Sequence, residues 1–230
     1  MASTDGGSGR GRLSPERVLR AAVALADAGG IESLTMRRLG QDLGVEAMSL
    51  YKHVANKEAL LDGMVDTVVT ELNAEVGVGG GAEAERDWAA ALRARIITAR
   101  TVMLRHKWLP AVLESRTSLS APLIAYYEGL LATLHAGGFS YDLAHHTLHA
   151  LGSRALGFSQ ELFDPAKGGD DVEVSEAEMA AMADAFPHLA AMIAEVAHEG
   201  PDTTIGWCDD QTEFEFGLDV VLDGLRARLG

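Results

Sequence analysis

Two short helical stripes separated by one glycine turn constrain this chain more than any other feature. Thr35 opens the first stripe, in which Met36, Leu39 and Leu43 share a face and Arg37, Arg38 and Asp42 lie off it. Gly44 ends it, supplying a turn conformation that a side chain would resist. The second stripe, Glu46 to His53, has Leu50 as its apolar anchor, which leaves Ala47, Met48, Ser49, Lys52 and His53 outward. This is the spacing of a helix-turn-helix. A DNA major groove about 12 Å wide admits one helix, and the preceding helix braces it against the phosphates. A helical hairpin with a glycine turn also occurs as ordinary packing, so spacing alone leaves both readings open.

The rest of the chain keeps the helical period. Ser14 and Pro15 start a helix through Val18, Leu19, Ala22, Leu25 and Ala26 that Gly29-Gly30 stops. Asn56 caps a helix to about Leu72, with Leu60, Leu61, Met64 and Val68 inward. Gly77 to Gly81 reads as a flexible break. Further helices are expected over Trp88 to Met103, Ala121 to Leu134, Tyr141 to about Leu162 and Asp209 to Leu229, with Pro110 ending or kinking the chain between the first two. A helical stretch interrupted by Pro187 is expected over Glu176 to Glu199, after an exposed loop from Asp164 to Ser175. No strand alternation appears, so the expected class is all-α: an N-terminal three-helix helix-turn-helix domain and a larger helical ligand-binding and dimerisation domain. The expected divisions are a disordered arm over 1–12, a DNA-binding domain over 13–60 and the larger domain over 61–230.

The formal net charge of -15 argues against a nucleic-acid coat or a polybasic membrane binder. Its distribution says more: residues 10–60 carry +2 and residues 61–230 carry -16, so only the head is a plausible polyanion contact. No apolar run is long enough to span a bilayer, and the first residues, MASTDGGSGRGR, have no apolar stretch behind their charges. The single cysteine, Cys208, excludes an intrachain disulfide and a multi-cysteine zinc module, and a reducing cytoplasm is the expected setting.

The string LTMRRLGQDLGVEAMSLYKHVANKEALLDGM, residues 34–64, resembles the DNA-binding domain of the tetracycline-repressor (TetR) family. The resemblance rests on Leu34-Thr35, Leu39, Leu43-Gly44-Val45, Leu50-Tyr51-x-His53-Val54 and Asn56-Lys57-x-x-Leu60-Leu61. It implies that Arg37 reads a base, that Ala47, Met48 and Ser49 face bases, and that Tyr51, His53 and Lys57 hold the phosphate backbone. Lys52 stands where the tetracycline repressor has a tryptophan, which suggests a phosphate or guanine contact. Ala47 replaces a glutamine, so adenine readout through an amide is lost and the operator should differ.

The body is similar too, through Gly137-Gly138-Phe139-Ser140, Leu156-Gly157, Glu161, Phe214-x-Phe216-Gly217-Leu218 and Gly224-Leu225. This implies a ligand cavity, and a homodimer built by the Tyr141–Leu162 helix and the final helix. The final helix offers Phe214, Leu218, Val221, Leu222 and Leu225 as its apolar stripe, more than an edge helix normally leaves to solvent. The family's magnesium-ligating histidine falls at Leu113, a drug-contacting histidine at Asn73 and another pocket histidine at Ser153; Glu161 keeps its type. Without the imidazole, a tetracycline–magnesium inducer is not expected. Met103, Trp108, Leu113 and Phe158 suggest a mainly apolar pocket, with His149 as a polar contact.

His145, His146 and His149 have a spacing that can hold a metal, but no Cys or Glu joins them in that run, so no metal or other cofactor is expected. No phosphate-binding glycine loop, nucleophile elbow or histidine–carboxylate zinc string is present, which argues against an enzyme. The expected function is a ligand-responsive regulator, a repressor whose dimer binds a palindromic double-stranded operator and is released by a small apolar or aromatic effector, with no membrane partner. A helical binding or transport protein with a vestigial head, or a small helical enzyme, is the alternative.

Overall fold

The computed structural model describes residues 12–116, 118–157, 184–188, 190–191 and 210–229. Among these, every regular element is helical, as the period predicts, and no helix is long and apolar enough to cross a membrane. The helices are α1 (Pro15–Gly29), α2 (Met36–Leu43), α3 (Ala47–Leu50), α4 (Lys57–Val76), α5 (Gly81–Arg86), α6 (Trp88–Arg105), α7 (Leu109–Glu114), α8 (Ala121–Ala136), α9 (Tyr141–Gly157) and a final helix, α10 (Asp210–Leu229). A 3-10 turn, Ile31–Ser33, links α1 to α2.

The helix starts follow from caps written in the sequence. Ser14 accepts from the Arg17 N–H, Thr35 from Arg38, Asn56 from Ala59 and Ser140 from Leu143. Pro110, expected to end or kink the chain, instead sits in the first turn of α7, where its missing N–H costs nothing. The glycine run expected as a flexible break is partly ordered: Gly81 opens α5, and Gly80 donates to the Thr133 hydroxyl on α8.

The chain forms two compact units, one ending at His146 and the other beginning at Thr147. In the first, α4 is the central helix, packed by α1, α6, α7 and α8. Its buried Leu60, Leu61, Met64, Val65, Val68, Val69 and Leu72 join Val18, Ala22 and Ala26 of α1 and Val102, Leu109 and Val112 of α6 and α7 in one core. That core runs unbroken across position 60, where the sequence places the boundary between head and body. Gly137 and Gly138 turn the chain after α8, with Gly138 at φ 88, and drop Phe139 edge-on against Trp88 at 4.7 Å. In the second unit Leu151 of α9 is buried, and so are Phe214, Leu218, Leu222 and Leu225 of α10. The expected loop over Asp164–Ser175 lies outside the described residues, as do most of the expected helix Glu176–Glu199 and Cys208.

The turn between α2 and α3 is built by two glycines. Gly44 is left-handed at φ 69. The Val45 N–H donates to Gly40 O at 2.9 Å and the Gly44 N–H to Gln41 O at 3.2 Å, the paired bonds of a Schellman cap. Gly40 is buried, and a Cβ there would lie 2.9 Å from Val45 O and 3.2 Å from the backbone of Ala47. The close approach of α3 to α2 therefore depends on its missing side chain. Gly40→Ala should force the two helices apart and cost about 1–3 kcal/mol, read as a fall in melting temperature of about 2–4 °C per kcal/mol for a chain of this size. An unchanged melting temperature would show that the turn can relax around a methyl group.

Candidate nucleic-acid interface and its seat on the body

Regular α-helix in the second stripe is shorter than the expected Glu46–His53. It stops at Leu50, and the chain continues as a tight turn with His53 N–H donating to Leu50 O at 2.8 Å and Lys52 N–H to Ser49 O at 3.4 Å. Leu50 is fully buried and Val54 nearly so, which anchors both ends of this turn. Anchored this way, the element presents its other side outward. Met48 is 75% exposed and Tyr51 44% exposed. Arg37, Lys52 and Lys57 are exposed, while Ala47, Ser49 and His53 are half-buried. The sequence-predicted contact residues thus lie together around α2, α3 and the first turn of α4.

Carboxylates near this surface are held elsewhere. Arg116, just after α7, pairs through Nη1 with Glu58 at 2.8 Å and Asp62 at 3.0 Å, both on the first turns of α4. The hydrogen bonds it donates to Asp62 and Glu58 hold its guanidinium above the usual arginine range. The pairing offsets one of the two negative charges next to Lys57. It also ties the end of α7 to the start of α4.

A second tie reaches α1. Asp27, in its last turn, accepts from Trp108 Nε1 at 2.7 Å and lies 2.8 Å from His106 Nδ1. The partners are 81 and 79 residues away in sequence. Sequence reasoning missed both ties, because nothing local marks Asp27 or Arg116.

The pocket expected in the body is only partly described. Met103 and Leu113 are half-buried against the first unit's core. Trp108 joins that core too, but its indole N–H is used on Asp27, so it braces α1 instead of offering a donor to an effector. Asn73 donates from Nδ2 to Pro122 O at 2.8 Å, fastening α4 to α8. His149 is exposed, as are His145 and His146. The side chain of Ser153 and all of Phe158 and Glu161 lie outside the described residues. Among the described residues no group of three potential ligands could hold a metal ion.

A polar side chain the sequence did not single out lies deeper. Arg95 of α6 is 5% exposed and donates from Nη1 to Val76 O and Gly77 O, each at 3.0 Å. Its Nε and Nη2 have no partner. Burial lowers its pKa, and burial pushes the neighbouring Tyr126 hydroxyl up to about 12.

In the final helix Phe214, Leu218, Leu222 and Leu225 are 2–7% exposed within a single chain, and Val221 is half-buried. Their burial therefore does not by itself require a partner, contrary to the argument from an exposed stripe. The apolar side chains left outward on this helix are Phe216 and Val220, 66% and 56% exposed.

Comparison with known proteins agrees with this architecture. Residues 18–64 match the family model for bacterial regulatory proteins of the tetR family, and residues 81–229 match the tetracyclin repressor-like C-terminal domain. The HTH-type transcriptional repressor DrrR1 of Streptomyces coeruleorubidus is 31% identical over 227 residues, covering 94% of this chain and 78% of that repressor. The class A tetracycline repressor of transposon 1721 from Escherichia coli is 29% identical, covering 94% of this chain and 92% of its own length. Among solved structures, apo ActR from Streptomyces coelicolor superposes with a TM-score of 0.71 at 25% identity, covering 96% of this chain and 98% of ActR. ActR has also been solved in complex with actinorhodin, at a TM-score of 0.67 and 26% identity, covering 96% of this chain and 100% of that one. With an exposed two-helix reading head and both family domains matched in order, the chain belongs to the TetR family of ligand-responsive, DNA-binding transcriptional regulators.

Proposed function

We propose that this regulator is a cytoplasmic repressor in which residues 13–60 read a palindromic operator and residues 61–230 bind the effector and the second copy. The observation that carries the reading is the exposed set around α3. The side chains of Met48, Tyr51, Lys52, Lys57 and Arg37 stand outward and make no hydrogen bond or ion pair among the described residues, around a turn whose apolar side is buried. Exposed cations with no partner of their own suit phosphate and base contacts. Ala47, Met48 and Ser49 offer methyl, thioether and hydroxyl groups to base edges, and Arg37 a bidentate donor pair to guanine. Tyr51, Lys52, His53 and Lys57 hold the backbone.

The effector we infer is a small apolar or aromatic molecule taken without a divalent metal. Leu113 and Met103 bring apolar surface to the body, and Leu113 supplies no ligand atom where a metal-bound drug would need an imidazole. The ActR complex with actinorhodin supports an organic effector for a relative of this kind. Glu161, His149, Ser153 and Phe158 complete the proposed pocket. The second copy is proposed to join through α9 and α10, with the outward Phe216 and Val220 and the half-buried Val221 making the contact over a stripe of Phe214, Leu218, Leu222 and Leu225 that the chain itself buries.

Three outcomes are expected. In binding titrations on the operator, Tyr51→Phe and Lys57→Ala should weaken all sequences alike, with the salt slope for Lys57→Ala shallower by about one per site. Arg37→Ala should instead relax base preference, at about 1–3 kcal/mol per half-site; equal loss of specificity in all three variants would contradict the assignment.

Phe216→Asp combined with Val220→Asp places two charges in the proposed interface, so light scattering at micromolar concentration should report monomer with an unchanged helical spectrum. Leu222→Glu, by contrast, should lower the melting temperature, because Leu222 is already buried in one chain. A dimer mass retained by the double variant would place the interface elsewhere.

Release from the operator by the physiological effector should proceed equally with and without EDTA. A requirement for magnesium would sink the metal-free pocket.

A further inference from the structure

The tie between Asp27 and the joint of α6 and α7 is directional in a way that the surrounding packing is not. Apolar burial tolerates sliding, since its free energy follows area. An N–H···O bond tolerates only a few tenths of an ångström and a modest change of angle. Asp27 closes two such bonds, to Trp108 Nε1 and His106 Nδ1, from the last turn of α1. Helix α1 packs on α2, which carries Arg37, and on α4. The indole is 4% exposed, so without Asp27 its N–H would be buried and unpaired. A phenylalanine would fill the same core without an acceptor, so the donor itself calls for a role beyond packing.

We propose that Asp27 is a positioning residue for operator recognition: by accepting from Trp108 Nε1 and His106 Nδ1 it fixes the reading head on the body, and so sets the half-site spacing that the dimer accepts. This rests on the reading of the chain as a dimeric operator-binding protein. With the bonds closed, each head has one orientation, and only one separation of half-sites meets both. With them open, α1 keeps its apolar packing but loses its directional restraint, so the pair of heads accepts more than one separation.

The experiment starts from an operator enriched out of random DNA by the full-length wild-type protein. One base pair is then inserted at its centre, displacing the second half-site by about 3.4 Å and rotating it by about 34°. Wild type should lose about tenfold or more in affinity, the scale of a lost base contact. Asp27→Ala and Trp108→Phe should lose less than about threefold on the same insertion. Asp27→Asn keeps an oxygen for Trp108 Nε1 and should restore discrimination. Affinity for an isolated half-site should stay at the wild-type level in all three variants. Undiminished discrimination in both Asp27→Ala and Trp108→Phe overturns the proposal, and so does loss of half-site binding, which would put Asp27 in the folding of the head. Failure of wild type to enrich any palindrome overturns the operator reading itself and this inference with it.

Discussion

Everything in the first unit depends on α4 being buried by two sets of neighbours at once. A surface helix hides one narrow stripe; α4 hides Leu60, Leu61, Met64, Val65, Val68, Val69 and Leu72, which cover about half of its circumference. On one side lies α1 of the reading head, and on others α6, α7 and α8 of the body. No linker separates the two, and the interface between them is a shared core. A displacement of α6 or α8 that repacks α4 must repack α1 as well, since closely packed interiors transmit strain instead of absorbing it.

Polar ties fix what the apolar core leaves free. The Asp27 and Arg116 contacts are partly open to water, with Asp27 29% and Glu58 67% exposed at the side chain. Their Coulombic attraction is therefore screened and contributes little stability. Their value is geometric. Asp27 answers a buried indole that would otherwise go unpaired, and Arg116 holds two carboxylates that would otherwise repel an approaching phosphate backbone. Direction and charge placement, more than binding strength, are what these contacts supply to the head.

Local features were legible in the sequence. Ser14, Thr35 and Asn56 cap the helices they were expected to start, because a cap is a contact between residues three apart. Gly44 was legible for the same reason. Gly40 was not: its requirement comes from a backbone that returns five to seven residues later, and an isolated glycine inside a helical stripe carries no mark of that return. The ties of Asp27 span some eighty positions and leave no period at all. Trp108 was read as a pocket wall because an apolar body is visible in its type while the partner of its N–H is not. The stripe of the final helix shows the limit of periodicity most directly. Spacing says that Phe214, Leu218, Leu222 and Leu225 share a face, but not whether the same chain or a second copy covers it.

Arg95 gives the last piece of this arrangement. Its Nη1 meets the carbonyls of Val76 and Gly77, where α4 ends and its unsatisfied C=O groups concentrate negative potential. Burial in α6 disfavours the charged form, and its aromatic neighbour Tyr126, at 6.0 Å, keeps its proton at physiological pH and offers a ring face without a counter-charge. The helix end is therefore the charge partner that keeps this guanidinium in place. At the other end of α4, Arg116 is held by Glu58 and Asp62. Two arginines, one on α6 and one just after α7, thus grip opposite ends of a single helix, and the joint between α6 and α7 holds α1 through Asp27. Any ligand that changes the path of α6 acts on all three grips together, and because the core around α4 is continuous, the head has to respond as one body.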